Sequence, residues 1–94
     1  MSANEILMYS THICPYCDRA RALLQRKQAE FREIKVDVDP DQRDIMMTRS
    51  GGRRTVPQIF IGDRHVGGFD ELIALDRAGE LNTLLAPFVK PAQS

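Results

Sequence analysis

Two cysteines separated by two residues, Cys14-Pro15-Tyr16-Cys17, constrain this chain more than any other feature. They are the only cysteines in it, and they sit between an apolar run (Ile6, Leu7, Met8, Tyr9) and a segment of helix-forming composition. A strand that delivers a Cys-x-x-Cys pair to a helix start points to thiol–disulfide chemistry. Pro15 suits the first helical position, because its φ is already helical and the N–H it lacks would be unpaired there. The Cys14 sulfur then lies at the helix entrance, where unpaired N–H groups and the helix dipole favour negative charge. Since the thiolate is the reactive form, Cys14 reads as a nucleophile, and Cys17, one turn on, as its partner.

Two duller uses of the pair fit less well. Structural zinc takes four Cys or His ligands, and only His12 and His65 remain to complete the set. An inert disulfide across so short a loop would add little chain-entropy stabilisation.

The 94 residues suit one domain, spanning 1–94, with a tail over 89–94 (Pro91-Ala92-Gln93-Ser94 above all) that reads as disordered. The 13 basic and 13 acidic residues cancel, so no nucleic-acid or membrane footprint is expected. The apolar run near the N-terminus is too short for a signal peptide or a membrane span. A cytoplasmic location is therefore expected, where a vicinal cysteine pair is more often catalytic than structural.

Ile6–Tyr9 is apolar throughout, as in a strand buried on both faces. From Pro15 to about Lys27 a helix is expected, with Ala20, Leu23 and Leu24 turned inward and Arg19, Arg21, Arg26 and Lys27 solvated. Phe31–Val38 alternates (Ile34, Val36 and Val38 against Glu33, Lys35 and Asp37) and reads as an edge strand. Asp39-Pro40 starts a second helix, carrying Ile45 and Met46 inward with Met47 as core filler, that stops at Ser50-Gly51-Gly52. A strand from Gln58 to Ile61 turns at Gly62-Asp63 and returns through Arg64, His65 and Val66. Asp70 is expected to cap a helix running to about Gly79, and Pro87 to break a last short one. The order β-α-β-α-β-β-α, with a further C-terminal helix, predicts an α/β fold with a four-stranded mixed sheet.

These motifs, in this order, resemble the glutaredoxin family, in its small bacterial dithiol form, over most of the chain. Cys14-Pro15-Tyr16-Cys17 matches the family's active site, Thr55-Val56-Pro57 its Thr-Val-Pro segment, and Gly67-Gly68-Phe69-Asp70 its Gly-Gly-x-Asp segment. The resemblance implies a thioredoxin fold with Pro57 cis beside the cysteines. It also implies glutathione as reductant, with no permanently bound cofactor and no metal. Partners would be glutathione and disulfide-containing or glutathionylated client proteins, with a monomer as the default state.

By the same resemblance, Thr55, Val56 and Pro57 line the glutathione groove, with the Val56 backbone pairing to its cysteinyl part. Gly68, Phe69 and Asp70 would hold the γ-glutamyl end, Tyr16 would flank the groove, and Arg43 would reach the glycine carboxylate. Thr11 stands where the family usually has a lysine, so this chain brings no positive charge to that position. The Gly51-Gly52-Arg53-Arg54 segment is one residue longer than the family pattern, and its arginines read as solvated, brightening the field for anionic glutathione. Two other readings share the cysteines. One is a redoxin fed by a thioredoxin reductase, which would be expected to lack Asp70 and Arg43. The other is an iron–sulfur carrier, in which Pro15 and Tyr16 would crowd the cluster.

Overall fold

The computed structural model describes residues 5–89. Its sheet has the order β2-β1-β3-β4, built from β1 (Ile6–Ser10), β2 (Phe31–Lys35), β3 (Gln58–Ile61) and β4 (Arg64–Gly67). β1 pairs parallel to β2 and antiparallel to β3, and β3 pairs antiparallel to β4. The helices are α1 (Pro15–Arg26), α2 (Pro40–Arg49), α3 (Phe69–Arg77) and α4 (Leu81–Leu85), followed by a 3₁₀ turn at Ala86–Phe88. This is the mixed four-stranded sheet that the pattern predicted.

β1 is central and wholly buried, and its alternation divides the core in two. Ile6 and Met8 join Ala20, Leu23 and Leu24 of α1, Leu72 of α3, and Leu81 and Leu85 of α4. Leu7 and Tyr9 join Met46 of α2, Val36 and Phe60 on the opposite face. Continuous apolarity in β1 thus reflects two cores, one on each side of the sheet. Asp39 caps α2, accepting a hydrogen bond from the Gln42 N–H at 3.3 Å. At the other end of α2, Gly51 and Gly52 take φ of 74° and 96°, the left-handed region that stops the helix.

Several expectations need correcting. β2 ends at Lys35, so Val36 is buried beyond the strand while Val38 is exposed at 67%. Ile45 is exposed too, and Met46 alone on α2 is fully buried. Arg21 and Lys27 are not simply solvated. Arg21 pairs with Glu33 and Asp18, and Lys27 with Asp76. Pro87 lies inside the 3₁₀ turn that prolongs α4. Val89, placed in the expected tail, bridges Ala29. Residues 90–94 lie outside the described residues.

Candidate active site

Cys14 is the N-cap of α1, with extended backbone angles, and Pro15 is the first helical residue. The Cys14 Sγ accepts a hydrogen bond from the Cys17 N–H at 3.0 Å, so one of the helix's unpaired donors already points at sulfur. The two cysteines form a disulfide, with Cα atoms 5.1 Å apart. Their access differs: Cys14 is 8% exposed and Cys17 not at all. An incoming group therefore meets Cys14 first. The Val56–Pro57 bond is cis, and the Val56 carbonyl oxygen lies 3.9 Å from the Cys14 sulfur.

Beside the cysteines runs a groove of about 300 Å³, lined by Tyr16, Arg53, Thr55, Val56, Pro57, Gly68, Phe69, Asp70 and Glu71. Buried Gln58 fixes one wall: its Nε2 donates to the Thr55 carbonyl and hydroxyl at 3.0 and 3.2 Å. The Gln58 Oε1 meets His65 Nε2 at 2.7 Å. The Tyr16 and Phe69 rings flank the groove with centroids 6.4 Å apart, and the Arg19 guanidinium lies over Tyr16.

The N-cap of α3 is Gly68, not Asp70, which falls in the helix's first turn. Glu71 reaches back to accept the Gly68 N–H at 2.6 Å, and that bond holds its carboxyl below the usual carboxylate range. The first-turn N–H groups of Phe69 and Asp70 have no acceptor within the helix. Asp70 thus adds its carboxylate beside free donors, a mixed surface suited to a zwitterion.

Two expected residues lie elsewhere. The Thr11 hydroxyl donates to the Ile13 carbonyl at 3.4 Å, and Thr11 is not among the groove-lining residues. Arg43 donates to the Arg54 carbonyl at 3.4 Å and is also outside the groove. Arg53, read from sequence as solvated, takes a place in the groove wall instead, next to Glu71. Near the cysteines, His12 closes on Asp37 through both its ring and its backbone N–H, at 2.9 and 3.2 Å. The imidazole holds the Asp37 carboxyl below its ordinary value. Among the described residues, no group of three or more His, Cys, Asp or Glu is placed to hold a metal ion, and no helix is long and apolar enough to cross a membrane.

The glutaredoxin family model matches residues 6–66. The chain is similar to the glutaredoxin of Pseudomonas aeruginosa, 52% identical over 81 residues, covering 86% of this chain and 95% of that one. It is similar to glutaredoxin 3 of Escherichia coli K12, 50% identical over 78 residues, covering 83% and 93%. Among solved structures, it resembles a buckwheat glutaredoxin–glutathione complex, with a TM-score of 0.81 at 32% identity over 90% of this chain and 79% of that one. It also resembles the Brucella melitensis glutaredoxin, with a TM-score of 0.76 at 52% identity over 90% and 91%.

Proposed function

This chain belongs to the glutaredoxin family and is a glutathione-dependent thiol–disulfide oxidoreductase; on that premise we propose how its residues divide the work. Cys14 is the nucleophile and Cys17 the resolving thiol. The single observation that carries this assignment is the contrast in access, with Cys14 capping the helix and retaining 8% exposure while Cys17 behind it has none. The Cys17 N–H and the helix entrance stabilise the thiolate at Cys14.

With a glutathione mixed disulfide, the Cys14 thiolate attacks the glutathione sulfur. The client thiolate leaves and takes a proton, and the glutathionyl group stays on Cys14. A second glutathione thiolate attacks that sulfur, releasing oxidised glutathione and restoring the Cys14 thiolate. With a protein disulfide, Cys14 forms a mixed disulfide with the client. Cys17 then attacks the Cys14 sulfur, expelling the second client thiol and closing Cys14–Cys17. Two glutathiones reopen it, one forming the Cys14 mixed disulfide and the other removing it. Electrons balance at every step with glutathione alone, so the cycle calls for no resident cofactor.

The groove is the glutathione site in this reading. The Val56 backbone beside the cis proline pairs with the cysteinyl part as one strand with another. Thr55, Pro57 and Tyr16 form the walls, and Gly68, Phe69 and Asp70 take the γ-glutamyl end. We assign the working form as a monomer in the cytoplasm, where the glutathione pool keeps the enzyme reduced.

The test is a coupled assay with glutathione and glutathione reductase, run beside one with thioredoxin reductase. Cys14→Ser should abolish turnover of every substrate. Cys17→Ser should keep turnover of glutathione mixed disulfides and lose dithiol reduction of proteins. Equal loss in both variants on both substrates would show that nucleophile and resolver are misassigned.

A further inference from the structure

We propose that Arg53 is a substrate-binding residue that reads the α-carboxylate of the γ-glutamyl group, with Glu71 holding its guanidinium in place. This rests on the groove being the glutathione site and adds a residue to it.

The chain entering the groove wall is pinned at Arg53. Its N–H donates to the hydroxyl of buried Ser50 at 3.1 Å, and that hydroxyl lies 3.2 Å from the Arg53 carbonyl. The guanidinium crosses to the junction of β4 and α3. A Cβ added to Gly67 would stand 3.0 Å from Arg53 Nη1 and 2.6 Å from Glu71 Oε1. One added to Gly68 would lie 3.9 Å from Arg53 Nη2. Gly67 and Gly68 therefore leave the space in which Arg53 and Glu71 meet, next to the first turn of α3.

The Arg53–Glu71 ion pair leaves most of the guanidinium's donors available. Nη1 stands 3.5 Å from Glu71 Oε1, longer than a charge-assisted hydrogen bond, while the same oxygen takes the Gly68 N–H at 2.6 Å. Glu71 orients the guanidinium without using up its five donors.

Charge supplies the rest of the argument. Asp70 and Glu71 put two carboxylates on one lip of the groove. An α-amino-acid head carries an ammonium for Asp70 to meet, but its carboxylate would enter beside two negative groups. The Phe69 and Asp70 N–H groups give it donors but no full charge. Arg53 is the groove-lining cation, and its planar fork fits a carboxylate. It balances Glu71 in the empty groove and the substrate in the filled one.

The experiment uses the full chain, glutathione, glutathione reductase and two disulfide probes. One is the mixed disulfide of glutathione with 2-mercaptoethanol. The other is the same compound with the γ-glutamyl α-carboxylate converted to a carboxamide. Arg53→Ala should lower kcat/KM for the first probe about 5- to 10-fold, as expected for a charged pair in a partly exposed groove, and hardly change it for the second. Arg53→Lys should recover part of the loss, and Arg53→Ala combined with Glu71→Gln should recover part by removing the unbalanced carboxylate. An unchanged Arg53→Ala variant, or an equal loss on both probes, overturns the proposal. Wild-type enzyme that fails to turn over the glutathione probe would instead overturn the glutathione reading of the groove.

Discussion

The ion cluster beneath the active-site helix gives the sharpest test of what holds that helix in place. Arg21 lies one turn beyond Cys17 and grips Glu33 of edge strand β2 with two hydrogen bonds, Nε to Oε1 at 2.9 Å and Nη2 to Oε2 at 2.6 Å. The buried Ser10 hydroxyl and Lys35 Nζ donate to Glu33 as well. Arg21 first, then Ser10 and Lys35, hold the Glu33 carboxyl at about 2 against an ordinary 4.5. Such a displacement is worth about 3 kcal/mol, at about 1.4 kcal/mol per pH unit. The side chains of Glu33 and Arg21 are only 18% and 25% exposed, so solvent screens the pair little. The raised pKa of Arg21 describes the same contact and is not counted again.

Glu33→Gln keeps the shape and removes the charge, leaving half-buried Arg21 with only the exposed carboxylate of Asp18 as anionic partner. It should destabilise the fold by about 2–3 kcal/mol at pH 7, a large share of the ~5–15 kcal/mol typical of a domain. The sign of the pH dependence follows from the depressed pKa. The stabilisation is complete above the unfolded value near 4.5 and is lost as pH falls through about 2. Urea unfolding of wild type and variant at pH 7 and pH 3 should therefore show a gap that shrinks by about half or more at the lower pH. A gap under about 0.5 kcal/mol at pH 7, the range of ordinary surface substitutions, would refute the reasoning. So would a gap that does not change with pH.

Thr11→Lys should lower the Cys14 pKa, because an added cation near the thiolate favours the ionised form, and thiolate ultraviolet absorbance against pH reads this directly. Superimposable titrations would show that the position does not couple to Cys14. Arg43→Ala should change glutathione kinetics by less than about twofold, since its guanidinium donates to an exposed backbone carbonyl, whereas Asp70→Ala should lose more. Equal losses would mean that Arg43 reaches the ligand from a different loop conformation. Asp39→Ala removes the cap of α2 and should cost about 1 kcal/mol of unfolding free energy without altering the cysteine chemistry.

The parts of this molecule that could be read from residues alone are those governed by local rules. The cysteine pair, Pro15 at the first turn, the Asp39 cap and the apolar β1 each carry their structural meaning within a few positions. Groove assignments depended on long side chains whose destinations are set by distant partners. Arg53 and Arg54 look alike in sequence, yet Arg53 enters the groove because Ser50 pins its backbone and Glu71 waits across it. Arg43 turns instead to a neighbouring carbonyl. The cap at Gly68 does have a local signal in the sequence. Glu71 stands three residues after Gly68, the spacing at which a side chain reaches back to the cap N–H. Val38 continued the alternation of β2 in sequence, but the strand ends at Lys35 and the His12–Asp37 contact draws the chain toward the active-site loop.

The strand order has a consequence for how this protein behaves in a crowded solution. β2 and β4 are the outer strands, and each offers a row of unpaired backbone groups on which another chain could build. Both are short, at 5 and 4 residues. β2 carries Arg32, Glu33 and Lys35, and β4 begins with Arg64 and pairs to β3 through a register shift between Ile59 and Phe60. A second strand laid along β2 would have to displace or desolvate the Arg32–Glu5 and Arg21–Glu33 ion pairs. Along β4 it would meet a charged start and an irregular ladder. The sheet thus ends on both sides in short, charged strands of the kind that disfavour edge-to-edge pairing with another chain.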